Sequence, residues 1–291
     1  MSASQKPRKL GIAAGSGPMP VALAEAARSA GRDVFIIGIK GAAEKEIERF
    51  PHAWVGIGAM GEFVRLLKEE RCEDVVLIGP LRRPSLASII PDKLGRQIMP
   101  RVARWMLQGD DGLLRGIAAY LEEEHGLRVV GAHEIAREML TPPALLTSTA
   151  PNEADERDID VAIRATLAIG ALDIGQGSVA SRGIVLALEA AEGTDAMLER
   201  VAGLPAHLRG REGEREGVLV KLSKPGQERR VDLPTLGLTT VEKVAAAGLA
   251  GIAAEAGGTL LVDSEGVARA ANKAGIFVLG LTPERIAKAR R

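Results

Sequence analysis

The feature that most constrains this chain is an alternation of short, almost uninterrupted apolar runs with stretches of helical spacing. LGIAA at 10–14 is followed by Gly15-Ser16-Gly17 and a helical stretch from Pro18 to about Ala30. A turn at Gly31-Arg32-Asp33 precedes a second run, VFII at 34–37, and VVLI at 75–78 is a third, ending at Gly79-Pro80. RVV at 128–130 is a fourth. A strand that carries apolar residues at successive positions is buried on both faces, which is the situation in a parallel sheet covered by helices. The first part of the chain is therefore expected to be an open, Rossmann-like α/β domain with a mostly parallel sheet.

TPPALLTSTAPNEAD at 141–155 breaks this pattern with Pro, Thr, Ser and Asn and reads as a linker. The expected division is an N-terminal domain over 1–142, a linker over 143–158 and a C-terminal domain over 159–291. The alternation resumes with a helix over 159–169, a strand over 184–188, a helix over 195–202 and a strand over 218–220. A helix over 241–247, capped by Thr239 or Thr240, a strand over 260–262, a helix over 265–273 and a strand over 277–279 complete a second α/β domain.

Composition excludes several classes. Lys+Arg and Asp+Glu both number 38, so no net charge draws the chain to nucleic acid or an anionic surface. Aromatic residues are 2%, too few for base-stacking platforms. Cys72 is alone, which excludes an internal disulfide and a cysteine zinc site. No signal peptide and no membrane span are read, so a soluble, cytoplasmic protein is expected.

Five stretches could carry chemistry. Gly15, Ser16 and Gly17, between a strand and a helix, suit an anion on bare helix N–H groups, and a ligand-free turn fits equally well. The full G-x-G-x-x-G pattern is missing, because Pro20 stands at its third glycine. Pro80, Arg82 and Arg83 follow the third strand, where guanidinium groups could pair with phosphate oxygens. Gln176 and Gly177 lie in the polar turn DIGQG at 173–177.

The fourth stretch, EAAEGTDAM at 189–197, crowds Glu189, Glu192 and Asp195 at a strand end. Gly193 turns the chain, and Thr194 can cap the following helix. The remaining negative charge calls for a cation or a basic partner. The fifth, KLSKPGQERRVDLPTLG at 221–237, gathers Lys221, Lys224, Arg229 and Arg230 around Gln227, Glu228 and Asp232. Such a set can grip a pyrophosphate while Asp232 holds a metal or a water.

The combination LGIAAGSGPMP (10–20), DIGQGSV (173–179), EAAEGTDAM (189–197) and KPGQERRVDLPTLG (224–237) resembles the UDP-2,3-diacylglucosamine pyrophosphatases of the LpxI type, from Lys9 to about Leu281. Ser16 departs from the glycine expected there. The resemblance implies two α/β domains joined by a linker, with the site in the cleft between them. It implies Mg²⁺-dependent hydrolysis of UDP-2,3-diacylglucosamine to UMP and 2,3-diacylglucosamine 1-phosphate, a step of lipid A synthesis, on a lipid-linked substrate met at the inner face of the inner membrane. It also implies that the aspartate matching Asp232 is essential, and a homodimer is a further expectation from the family. Asp232 and Asp195 are the candidate Mg²⁺ ligands, and Lys221, Lys224 and Arg230 would offset charge on the leaving phosphate. The Nudix box and the Asp-x-His and Gly-Asn-His patterns of dinuclear metallophosphatases are absent. Two rival readings stay open: a Rossmann-type nucleotide-sugar enzyme, and a non-catalytic two-lobed protein that binds a phosphorylated small molecule.

Overall fold

The computed structural model describes residues 7–81 and 89–290. The chain forms two compact units, Met1–Arg137 with Glu228–Asp232, and Glu138–Gln227 with Leu233–Arg291.

The first unit contains β1 (Leu10–Ala14), α1 (Met19–Ser29), β2 (Val34–Ile39), β3 (His52–Val55), α2 (Met60–Glu69), β4 (Asp74–Ile78), α3 (Lys93–Met106), α4 (Gly109–His125), β5 (Arg128–Val129) and the short α5 (Ala132–Ile135). Its five strands are all parallel, in the order β3-β2-β1-β4-β5. The strand order turns back between β1 and β4, so the crevice outside their carboxyl ends is the topological switch point of the sheet. The apolar run of β2 is buried through Gly38, as a strand covered on both faces requires. Phe35, Ile37, Val64, Leu67, Val75, Leu121 and Val129 pack into one core cluster. Val231 joins that cluster, which is how the Glu228–Asp232 segment comes to be part of this unit. Asp92 ties α2 to α3: one carboxylate oxygen caps α3 at the Gly95 N–H (2.7 Å), and the other accepts the Glu62 N–H (2.9 Å).

The second unit contains α6 (Glu153–Ala171), β6 (Gly177–Ser181), β7 (Ile184–Leu188), α7 (Gly193–Ala202), α8 (Ala206–Arg209), β8 (Gly210–Arg211), β9 (Glu214–Arg215), β10 (Val218–Lys221), β11 (Thr235–Leu236), α9 (Leu238–Ala246), β12 (Gly251–Glu255), β13 (Leu260–Leu261), α10 (Ser264–Ala274), β14 (Phe277–Leu281) and α11 (Pro283–Ala289). The main sheet has the order β14-β12-β10-β6-β7. β10, β12 and β14 are parallel, and β6 runs antiparallel to both β10 and β7. The carboxyl ends of β7, β10 and β12 and the amino end of β6 therefore share one end of the sheet. Met197, Leu198, Val241, Val244 and Val267 fill a core with one set of sheet residues. Ile159, Ile163, Phe277 and Ile286 fill another with a second set.

Both parts are α/β, as the alternation indicates. Several details differ. The helix expected from 159 begins at Glu153, because Asn152 caps it: its side chain accepts the N–H groups of Ala154 (2.7 Å) and Asp155 (3.0 Å). Asp155 returns the bond to the Asn152 N–H at 2.9 Å, closing a capping box. Within the stretch read as a linker, Leu146 donates to Val278 O (2.9 Å) and Thr147 Oγ1 accepts from Val278 N (3.1 Å), so these residues bond to β14. Neither Thr239 nor Thr240 caps α9; the helix starts after Gly237 without a side-chain cap, and Thr240 is buried. β6 (GSVAS) and β12 (GIAAE) fall outside the strands expected from the alternation; small residues around Val179 and Ile252 fill their buried positions without a β-branched run.

Candidate functional site

The shared end of the second sheet gathers most of the polar residues singled out in that half of the chain. Lys221, the last residue of β10, lies opposite Gly177, the first residue of β6. Leu222 N donates to Gln176 O (3.0 Å) and Glu189 N donates to Gly177 O (2.9 Å), so the turn before β6 is held by the ends of both neighbouring strands. Gly177 has no room for a side chain, since an added Cβ would lie 2.5 Å from Glu189 Oε2. Lys221 is 5% exposed, and its ammonium donates to Thr235 O at 2.9 Å. Lys224 pairs with Asp173 at 2.6 Å. Gln227 closes the Lys224–Gln227 turn: its Oε1 accepts the Lys224 N–H (2.9 Å), and its own N–H donates to Lys224 O (3.1 Å). Lys221, Lys224, Gln176, Gly177 and Gln227 thus come together around one sheet end. Asp173, the partner of Lys224, was not singled out, although it stands in the same DIGQG turn.

The acidic stretch resolves into separate jobs. Glu192 pairs with Arg200 at 2.6 Å. Its own N–H and Arg200 hold its carboxyl below the usual carboxylate range. The basic partner of Glu192 is therefore Arg200, one helix face along, and not the 221–230 stretch. Gly193 has φ 80°, the left-handed turn that admits α7. Thr194 does not cap that helix, whose N-cap position is Glu192 with no side-chain bond; its hydroxyl donates instead to Glu189 Oε1 at 3.1 Å. Glu189 is 7% exposed, and its Oε2 has no hydrogen-bond partner; Gln176 Oε1 is likewise buried without one. Asp195 is exposed in the first turn of α7, and its charge helps to raise the pKa of Lys243, which bonds to Glu199.

Asp232 belongs to the first unit, on the turn Glu228–Asp232. The turn is built from backbone bonds to Glu228 O from Val231 N (3.0 Å) and Asp232 N (3.2 Å). Arg230 anchors it, donating to Glu122 Oε1 (2.9 Å), to Glu228 Oε2 (3.0 Å) and to Val129 O (3.3 Å). Hydrogen bonds and charge from Arg230 lower the Glu228 carboxyl, and Glu228 with Glu122 raises Arg230 in turn. The Arg230 guanidinium is thereby engaged by two carboxylates of its own unit. Asp232 itself is partly exposed.

Gly15, Ser16, Gly17 and Pro80 lie at the switch point of the first sheet. Gly15 N donates to Ile78 O (2.8 Å), and both the N–H (3.0 Å) and the hydroxyl (2.8 Å) of Ser16 donate to Pro80 O. The Ser16 amide and hydroxyl are therefore both bonded to the neighbouring loop. Pro18 and Pro20 contribute no N–H at all. Arg82 and Arg83 lie outside the described residues. Cys72 is buried, and burial pushes its thiol up to about 11, in keeping with an inert core residue.

Among the described residues no three or more His, Cys, Asp or Glu side chains converge as a closed cation site. Mg²⁺ does not require one, since it commonly binds through one or two carboxylates plus substrate phosphates. The partly exposed carboxylate of Asp232 fits that kind of open site, and so does the exposed Asp195 on the second unit.

Residues 9–139 match the family described as the LpxI N-terminal domain, and residues 142–279 match the LpxI C-terminal domain. The UDP-2,3-diacylglucosamine pyrophosphatase LpxI of Caulobacter vibrioides is 46% identical over 277 residues, spanning 95% of this chain and 99% of that protein. With both domain families matched in order and a relative of that identity over almost its whole length, this chain belongs to the LpxI family.

Proposed function

We propose that this protein hydrolyses the pyrophosphate bond of UDP-2,3-diacylglucosamine, with Mg²⁺, to UMP and 2,3-diacylglucosamine 1-phosphate, a step of lipid A biosynthesis. The observation that carries the reading is the 46% identity over 95% of the chain to a relative named for this activity. The braced turn bearing Asp232 and the two lysines at one sheet end are chemically suited to it.

In the reaction a water oxygen bonds to one phosphorus, and the bridging P–O bond breaks to leave a second phosphate. When bound, Mg²⁺ supplies Lewis-acid neutralisation of the diphosphate. Asp232 is the carboxylate assigned to the metal or to the attacking water. Lys221, fixed by Thr235 O, and Lys224, fixed by Asp173, bring positive charge without having to be ordered by the substrate. Arg230 contributes by holding the Asp232 turn, because both Glu122 and Glu228 already occupy its guanidinium. The diacyl substrate brings the work to a membrane surface; among the described residues no helix is long and apolar enough to cross one.

The test is release of UMP from UDP-2,3-diacylglucosamine by the purified protein, first with Mg²⁺ and then with EDTA. Metal-requiring release is expected. No release under either condition sinks the reading and favours a non-catalytic binding protein.

A further inference from the structure

Glu189 is a buried carboxyl group that the mechanism above does not use. It stands just past the end of β7, 7% exposed. A carboxylate buried without donors costs several kcal/mol, so its partners are informative. Oε2 has none, and Oε1 accepts from the Thr194 hydroxyl at 3.1 Å. A hydroxyl has one proton and two lone pairs. With its proton committed to a carboxylate, the Thr194 oxygen can meet a ligand only as an acceptor. Thr194 is partly exposed, at the start of α7, and can be reached.

A second observation points the same way. Gln176 sits between Gly175 and Gly177, and both glycines abut Glu189: an added Cβ would meet Glu189 O at 2.1 Å and Oε2 at 2.5 Å respectively. The Gln176 side-chain oxygen is also buried without a partner. Glu189 Oε2 and Gln176 Oε1 are thus two buried acceptors without donors on either side of Gly177, and a hydroxyl or N–H group is what such acceptors can bond.

We propose that Glu189 is a positioning residue: by holding the Thr194 proton it makes Thr194 an acceptor for a hydroxyl or N–H donor on a neutral part of the substrate, either the uridine or the glucosamine. The assignment rests on the substrate proposed above.

The test uses the full chain and isothermal titration calorimetry with three probes: UMP, 2,3-diacylglucosamine 1-phosphate in detergent micelles, and inorganic pyrophosphate. Glu189→Gln and Thr194→Val are each expected to weaken one of the two products about tenfold, the loss of one charge-assisted hydrogen-bond unit. The product affected identifies the donor as uridine or glucosamine. Pyrophosphate binding should stay within about twofold, and Thr194→Ser should restore product affinity. In kinetics KM should rise about tenfold with kcat within about threefold. The double variant should be no worse than the weaker single variant, because the two residues act as one unit. Unchanged affinity for both products, additive losses in the double variant, or an equal loss for pyrophosphate would each overturn the assignment. Should Glu189→Gln not fold, the Thr194→Val and Thr194→Ser pair decides alone: valine binding both products normally refutes it. If the wild-type protein hydrolyses no substrate, the proposed activity falls while the titrations still decide this point, with binding of neither product counting against it.

Discussion

Arg230 donates to Glu122 Oε1 at 2.9 Å across 108 residues of sequence, and this pair fastens the turn that carries Asp232 to α4. The same guanidinium donates to Glu228 Oε2 at 3.0 Å, so one planar group fixes both the turn and its anchor. The catalytic role proposed for Asp232 requires that its turn be held.

Arg230→Ala leaves two partly buried carboxylates without their cation. Its side chain is 35% exposed, so solvent screening limits the loss to about 1–2 kcal/mol. The expected result is a melting point a few degrees lower and a fall in kcat larger than any rise in KM. Arg230→Lys keeps the charge but loses the fork and should recover only part of both. Wild-type kcat in Arg230→Ala would show that the Asp232 turn does not depend on this clamp.

Gly15 and Gly17 are expected to fail for different reasons. A Cβ on Gly15 would lie 2.1 Å from Gly79 O, a backbone atom that cannot swing away. Gly15→Ala should cost about 3 kcal/mol or more, the upper end for overpacking, because the clash is with backbone, and should separate the loops after β1 and β4. Gly17 has φ 84° and nothing within 4 Å of an added Cβ, so Gly17→Ala should cost only the left-handed backbone penalty, about 1–2 kcal/mol. Urea unfolding of the two variants measures the contrast, and equal stabilities would contradict the packing described.

Asp74 gives the protein an acid-sensitive joint. Its side chain is 1% exposed and accepts two bonds from Arg128 at 2.8 Å, with Arg32 as a further partner. Burial pushes its carboxyl up, but the Arg128 and Arg32 interactions outweigh burial and leave it below the usual carboxylate range. A depressed folded value contributes stability that is present above the unfolded value, about 4, and lost as the pH falls through the folded value. Asp74→Asn should lose about 1–2 kcal/mol at neutral pH, because Arg32 is left partly buried without its charged partner, while Arg128, 53% exposed, regains water. It should also flatten the loss of stability below about pH 4. Denaturant unfolding from pH 7 to pH 3 reads both, and parallel curves for variant and wild type would exclude this role.

The sequence exposed the fold where burial is two-sided. β1, β2 and β4 are continuous apolar runs and lie close to where the alternation puts them. β6 sets Val179 among Gly, Ser and Ala, a composition that also suits a loop, and β12 repeats the GIAA of β1 but runs straight into Glu255 and the Gly257-Gly258 turn, without the Leu that opens β1. The start of α6 was available in the capping box N-E-A-D at 152–155, but the surrounding Pro, Thr and Ser made it look like a linker. At the candidate site, Lys221, Lys224, Gln176 and Gln227 stand out in the sequence by residue type. Their partners, Asp173 for Lys224 and Glu122 for Arg230, are 51 and 108 residues away, a separation over which a sequence pattern carries no pairing signal. The tie between Glu189 and Thr194 was hidden for another reason: a threonine at a helix start reads as a cap, and only the geometry shows its hydroxyl turned to the carboxylate.

The most direct test of the account is UMP release by Asp232→Ala in Mg²⁺, measured beside calorimetric binding of UMP and thermal melting of the same sample. The account predicts turnover at least about a thousandfold below wild type, within the range lost with a catalytic acid–base or metal-binding group. Binding should stay within a few-fold and the melting point within a few degrees. Turnover equal to wild type in the folded variant would contradict the assignment of Asp232 and with it the proposed mechanism.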